Sequence, residues 1–340
     1  MSGIDRRGPE PVPYAVVIPT IGRPCLRDCL SALGATAGPP PEEVVVVDDR
    51  PASSAGSPLA VDGPLGARTR VLRSEGRGPA AARNTGLRAV SAPWVVFLDD
   101  DVRVTPGWAD DLAADLAGAD ERTGGVQGKI RVPLPTDRRP TDVERGTAGL
   151  EDAAWATADM AYRAEALART GGFDERFRRA FREDADLALR MTAAGWTLRA
   201  GRRVTEHPVR PADRWVSVRA QRGNADDVLM TRLHGHDWWT RARAPRGRLP
   251  RHVAVTGAAA GALVLAAARR PRAAALAAGL WAAGTAEFAL ARIVPGPRTR
   301  GEVVTMLCTS VVIPPLAVRH WVSGLVRHRG AGAGEPGGAP

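Results

Sequence analysis

Three consecutive carboxylates, Asp99-Asp100-Asp101, follow directly on the apolar run Trp94-Val95-Val96-Phe97-Leu98. Adjacent acids repel one another and lose solvation if buried, so a fold that keeps three of them at a strand end has reason to give them a cation. Oxygen donors at alternating positions suit Mg²⁺ or Mn²⁺, and such an ion most often serves a bound diphosphate. A solvated acidic turn is the plainer reading, and the triplet alone divides evenly between the two. A second carboxylate pair, Asp48-Asp49, ends the run Val44-Val45-Val46-Val47. A third set, Glu183, Asp184 and Asp186, opens a helical pattern. There the helix dipole stabilises acids, which accounts for them as helix-start residues and also keeps one ionised, as a general base requires. His207 stands before Pro208 in a loop pattern; a lone histidine is more often structural than a ligand.

These side chains need elements to carry them. Runs of β-branched and aromatic residues at 14–19, 44–47, 69–73 and 94–98 predict short strands, two of them buried on both faces. Between them lie helical patterns at 24–33 and 79–87, each with proline in its first turn. The second helix opens on Gly76-Arg77-Gly78-Pro79 and carries Arg83, a fair anion site but a weak phosphate signature, since it matches neither common glycine spacing. Strand, helix, strand, strand, helix, strand spells an α/β half-domain, and ligands of such sheets sit outside the carboxyl ends of the strands, where the acids fall. Beyond it the pattern predicts a helix at 108–116, a strand at 124–132, a long loop at 133–149, a strand at 155–162 and a helix at 163–170. A Gly-Gly-Phe-Asp-Glu turn at 171–175, the helix from Glu183 and a strand at 196–200 follow. The 133–149 loop is long enough to expect an acceptor-recognition role.

Composition narrows the partners. The chain has 340 residues, a formal charge of +10 and a pI near 10.9. That balance invites nucleic acid, yet Lys129 is the only lysine among 47 basic residues and no arginine-rich helix interleaved with aromatics appears, so nucleic acid is set aside. Three cysteines make neither a disulfide framework nor a zinc site. The first 13 residues are polar and proline-rich without an apolar core, so no secretory signal is expected and the catalytic part is expected in the cytoplasm.

Taken together, the stretches Val16-Val17-Ile18-Pro19-Thr20, 44–49, 78–86, 95–101, 171–177 and 183–190 closely resemble the family 2 glycosyltransferases. Any one of them is weak; their order and spacing are specific. The resemblance implies a GT-A fold, an α/β three-layer sandwich of Rossmann type, and transfer of a sugar from a nucleotide-diphosphate donor with a divalent metal. It implies that Asp48 or Asp49 binds the base or ribose and that Pro19, Arg83, Asp99 and Asp100 belong with the donor. Asp101, Asp99 and, on a looser match, His207 are the implied metal ligands, and Asp184 the catalytic base. Inversion at the anomeric carbon is expected from the same source. The alternatives are a nucleotidyltransferase, disfavoured because no glycine-rich loop with a basic residue follows the first strand, and a catalytically silent nucleotide-sugar-binding or scaffold protein.

The C-terminal third is different in kind. Arginines crowd 211–252, and apolar segments follow at 253–268, 273–291 and 303–318, rich in alanine and short of a polar face. Arginines between the first two segments and the lack of a polar face favour contact with anionic headgroups over the alternative, alanine-rich helices of a soluble oligomerisation domain. The expected partition is a disordered 1–13, a GT-A domain at 14–210, a helical, basic linker at 211–252, an apolar helical, membrane-associated region at 253–325 and a disordered tail at 326–340. The expected acceptor is a glycan or lipid-linked hydroxyl at the cytoplasmic face of the cell membrane.

Overall fold

A computed structural model describes residues 11–332 except 55, 57, 58, 60 and 62–64. Most of the two expected disordered ends, 1–10 and 333–340, lies outside the described residues. In chain order the elements are β1 (Tyr14–Thr20), α1 (Cys25–Ala35), β2 (Val44–Asp48), β3 (Thr69–Arg73), α2 (Pro79–Leu87), β4 (Trp94–Leu98), β5 (Arg103–Val104), α3 (Trp108–Ala117) and β6 (Thr123–Arg131). There follow α4 (Asp142–Ala148), β7 (Asp159–Arg163), α5 (Ala164–Thr170), α6 (Glu183–Ala193), β8 (Thr197–Glu206), α7 (Val216–Arg219), α8 (Asn224–His234) and α9 (Trp238–Arg241). Three long helices close the chain: α10 (Leu249–Ala267), α11 (Pro271–Ile293) and α12 (Arg300–Arg327).

The chain forms two compact units. The first holds one mixed sheet in the order β3-β2-β1-β4-β7-β6-β8-β5. β3, β2, β1 and β4 run parallel, and every residue of β2 and β4 is buried, which is why these strands read as unbroken apolar runs. The chain builds outward from β1 on one side and then returns to β4 on the other. That reversal makes the carboxyl ends of β1 and β4 a topological switch point, and the acid triplet follows β4 there. β7 is antiparallel to β4, and β6 and β8 extend the sheet. Phe173, from the Gly-Gly-Phe-Asp turn, packs edge-on against Phe97 at 5.1 Å and near Tyr162, so this turn is anchored in the core beside β4.

Two strands differ from expectation. β7 begins at Asp159 because 155–158 turn, with Trp155 at φ 67°. β8 extends to Glu206, since its far half pairs with both β6 and the two-residue β5.

The second unit contains residues 133–152 and 209–332 of the described chain. The expected loop holds a helix, α4, started by a capping box: Thr141 Oγ1 accepts from the Glu144 amide and Glu144 accepts from the Thr141 amide. The buried Arg292 of α11 bonds Asp142 Oδ2 at 2.7 Å and Thr309 Oγ1 at 2.7 Å, while Glu302 Oε1 accepts from the Asp142 amide at 2.8 Å. Segment 133–152 is thus fastened to α11 and α12. One face of α12 is buried, including Ile313, Pro314 and Ala317. α10 and α11 instead present large apolar side chains, with Leu263 74%, Leu276 69% and Leu280 61% exposed. All three helices are long and apolar enough to cross a membrane.

Candidate active site

Helix α2 is the hub of the acidic cluster. Its N-terminus rests on Asp49, whose Oδ2 accepts from the Gly78 amide at 2.9 Å and whose Oδ1 accepts from Ser74 Oγ at 2.7 Å. Gly78 takes φ 98°, and a Cβ there would meet the Arg178 carbonyl at 2.7 Å, so both conformation and space call for glycine. One turn further on, Arg83 is buried and donates to Glu183 Oε1 and Asp99 Oδ1, each at 2.8 Å. A guanidinium out of water requires such charged partners, and its fork geometry lets it hold two at once. Acids from β4 and α6 are thereby bridged through one side chain of α2. At the following position Asn84 clamps the Phe173 backbone, accepting from its N–H at 2.9 Å and donating to its C=O at 2.8 Å.

The acid triplet divides its work. Asp100 is buried and turned toward β1, accepting from Thr20 Oγ1 at 2.6 Å and Arg23 Nη1 at 2.9 Å. Asp99, 29% exposed, and the buried Asp101 gather with His207: one ligand atom from each lies within 4.8 Å of the others. His207 Nε2 stands 3.5 Å from Asp101 Oδ1, and its Nδ1 is buried without a hydrogen-bond partner. The long-range link is made by β5. Leaving the triplet, the chain pairs Arg103 and Val104 with Glu206 and Thr205, which sets down His207 beside the acids one residue later.

Asp48 is held by Arg50, which donates from its amide and from Nε and Nη2 at 2.7 to 3.1 Å. Those bonds, offset in part by burial, keep its carboxyl below the usual aspartate range. Pro19 stands half-buried in β1, one residue before its carboxyl end. Asp184 lies in the first turn of α6 after Arg182 in the left-handed region at φ 77°, and accepts from the Ala185 amide at 2.7 Å. Burial is the main cause raising the Asp184 carboxyl, with Asp99's charge adding to it against Arg83 and Arg182. Glu183 is raised by burial too, to about 7, despite its bond to Arg83.

Thr20, Arg23 and Ser74 are absent from the sequence-derived set, and Glu183 figures there only as one of the acids that open α6, without its bond to Arg83. For Glu183 the signal was available, since an acid beside a candidate base with an arginine elsewhere invites a buried pair. The other three are revealed only by tertiary contact.

Residues 15–185 match the sequence profile of glycosyl transferase family 2. A pre-mycofactocin glycosyltransferase of Mycobacterium tuberculosis, in strains CDC 1551 / Oshkosh and ATCC 25618 / H37Rv, is 33% identical over 137 residues, 36% of this chain. The match spans 28% of that relative's length. Among solved structures, the mannosyltransferase PcManGT from Pyrobaculum calidifontis, in complex with GDP-Man and Mn²⁺, is 20% identical with a TM-score of 0.49, over 92% of this chain and 86% of its own. GalNAc-T7 with UDP, GalNAc and Mn²⁺ is 16% identical with a TM-score of 0.48, over 68% of this chain and 50% of its own. The profile takes in half of the chain, from β1 into the first turn of α6, and on that ground the chain belongs to glycosyl transferase family 2.

Proposed function

We propose that the protein transfers a sugar from a nucleoside-diphosphate donor to a hydroxyl acceptor in a metal-dependent, inverting reaction. The observation that carries this reading is the grouping of Asp99, Asp101 and His207. Two carboxylates and one imidazole fit Mn²⁺ well and Mg²⁺ acceptably, and the buried Nδ1 of His207 marks the imidazole as held for something other than its own hydrogen bonds. When bound, a divalent ion would supply stabilisation of the charge that develops on the leaving diphosphate.

The remaining work falls to the chain. Asp48, which ends β2, and Asp49 after it offer carboxylates for the ribose or base, with Pro19 alongside. Arg83 fixes Asp99 at the donor while holding Glu183 beside the base. Asp184 receives the proton of the attacking hydroxyl. A single displacement with one base on the far side of the sugar inverts the anomeric carbon.

The test is thermal stabilisation by a panel of nucleotide sugars with and without Mn²⁺. A donor at 100-fold its dissociation constant adds about 2.7 kcal/mol to the fold. The matching donor is expected to raise the melting temperature only with Mn²⁺, and Asp101→Asn to abolish that dependence. Equal Mn²⁺ dependence in the variant would remove Asp101 as a ligand. A donor that binds without any turnover would favour a silent sugar-binding relative.

The reading extends to place: the cytoplasmic face of the cell membrane, with a lipid-linked or cell-envelope glycan as acceptor. The exposed apolar side chains of α10 and α11, next to Arg269 and Arg270 in the turn between them and Arg272 at the start of α11, support it. Glutamate at Leu263, Leu276 and Leu280 together is expected to release the protein from anionic vesicles without loss of folded structure. Undiminished sedimentation of the variant would remove these three side chains as the contact, and wild-type protein that does not sediment with vesicles would refute the membrane assignment.

A further inference from the structure

Asp159 faces Leu98 across β4 and β7, one residue before the acid triplet, and is fully buried. Its carboxylate is completely engaged: Oδ1 accepts from Arg203 Nε at 2.8 Å, and Oδ2 accepts from Trp108 Nε1 at 2.7 Å and Thr205 Oγ1 at 2.5 Å. Arg203, equally buried, gives its other N–H groups to Asp115 Oδ2 at 3.1 Å and the Val126 carbonyl at 2.7 Å. Gly128 leaves the room, since a Cβ there would fall 2.3 Å from Asp159 Oδ2. The network ties α3, β6, β7 and β8 at one point.

Stability alone is a poor account of it. Replacing a buried ion pair with apolar residues is often neutral or stabilising, whereas fixed geometry is what such a pair supplies. What it fixes is the end of β8. Arg203 and Thr205 lie four and two residues before His207, and Thr205 pairs with Val104 of β5, the strand that continues from the acid turn.

Resting on the metal reading above, we infer that Asp159, Arg203 and Thr205 are positioning residues that hold β8 against the acid turn, so that His207 stays within coordinating reach of Asp99 and Asp101. They act through the backbone and touch neither donor nor metal. Partners that orient metal ligands typically govern affinity by ten- to a hundredfold.

The full-length protein is titrated with Mn²⁺ alone, free ion being counted by electron paramagnetic resonance and folding checked by circular dichroism. Thr205→Val keeps the β-branched shape but removes the hydroxyl, and is expected to weaken Mn²⁺ binding by about tenfold. Thr205→Ser restores the hydroxyl and should restore wild-type binding. Trp108→Phe deletes the other donor to the same oxygen and is expected to shift affinity in the same direction. Wild-type affinity in a folded Thr205→Val or Trp108→Phe variant, or equal weakening in Thr205→Ser, overturns the inference. Wild-type protein that binds no Mn²⁺ overturns the metal reading beneath it.

Discussion

Asp184→Asn is expected to lose transfer by about three orders of magnitude, within the range that a positioned general base contributes, while binding the nucleotide-sugar donor as the wild type does. Asparagine keeps the shape and can still accept from the Ala185 amide, so the first turn of α6 should stand. What disappears is the capacity to take a proton. The pH profile provides a second check on the same residue. Burial first, then Asp99's charge, raises the Asp184 carboxyl above its ordinary range, and a general base at this position would act only when ionised. The rate should therefore climb with pH through an acid limb lying above the usual aspartate value of about 3.9, falling tenfold per unit below it. Raising ionic strength should leave this limb in place, because its main cause is burial. Turnover within a few-fold of wild type in Asp184→Asn, or an acid limb that the variant retains unchanged, would remove Asp184 as the base.

Arg83→Met carries the second large effect, and it is expected in two measurements at once. The guanidinium is buried between Glu183, also buried, and Asp99. Removing one partner of a buried pair strands the other charge, at a cost of roughly 3–5 kcal/mol. For a unit of this size that corresponds to a fall in melting temperature of about 10 °C. Glu183, already raised, should then stay protonated throughout the neutral range. Asp99, released from its holder, should weaken Mn²⁺ binding, so donor affinity and stability fall together. Arg83→Lys, which keeps the charge but cannot span both acids with a planar fork, should lie between. A methionine variant with wild-type melting temperature and wild-type Mn²⁺ affinity would show that the bridge does neither job.

The sheet was largely readable from the residues because β2 and β4 are buried on both faces and so are uniformly apolar. Acids at their ends then mark the side on which a ligand sits. α4 was also encoded, in Thr141-Asp142-Val143-Glu144, but a short capped helix amid Pro and Arg looks like loop until its cap is sought. The roles within the acid triplet were not readable. Asp100 differs from Asp99 and Asp101 only by strand-end geometry, which turns it to Thr20 and Arg23. Nor could sequence reveal that two residues, Arg103 and Val104, form the strand that delivers His207, since a pairing so short has no periodicity to detect. The Arg203–Asp159 pair hides for another reason: an arginine in a stretch as basic as 199–203 looks solvated until its burial is seen.

The fastening of 133–152 to α11 and α12 bears on how the polypeptide can be dissected. A truncation after position 210 looks natural on a linear map, yet it would strip Asp142 of Arg292 and of Glu302 in a single cut. The orphaned excursion would then hang from β6 and β7, its capped helix left without the surface it was made to lie on. An expression boundary that respects the molecule either retains both closing helices or replaces the excursion with a short connector, so the first unit is defined by two splices and not by one terminus.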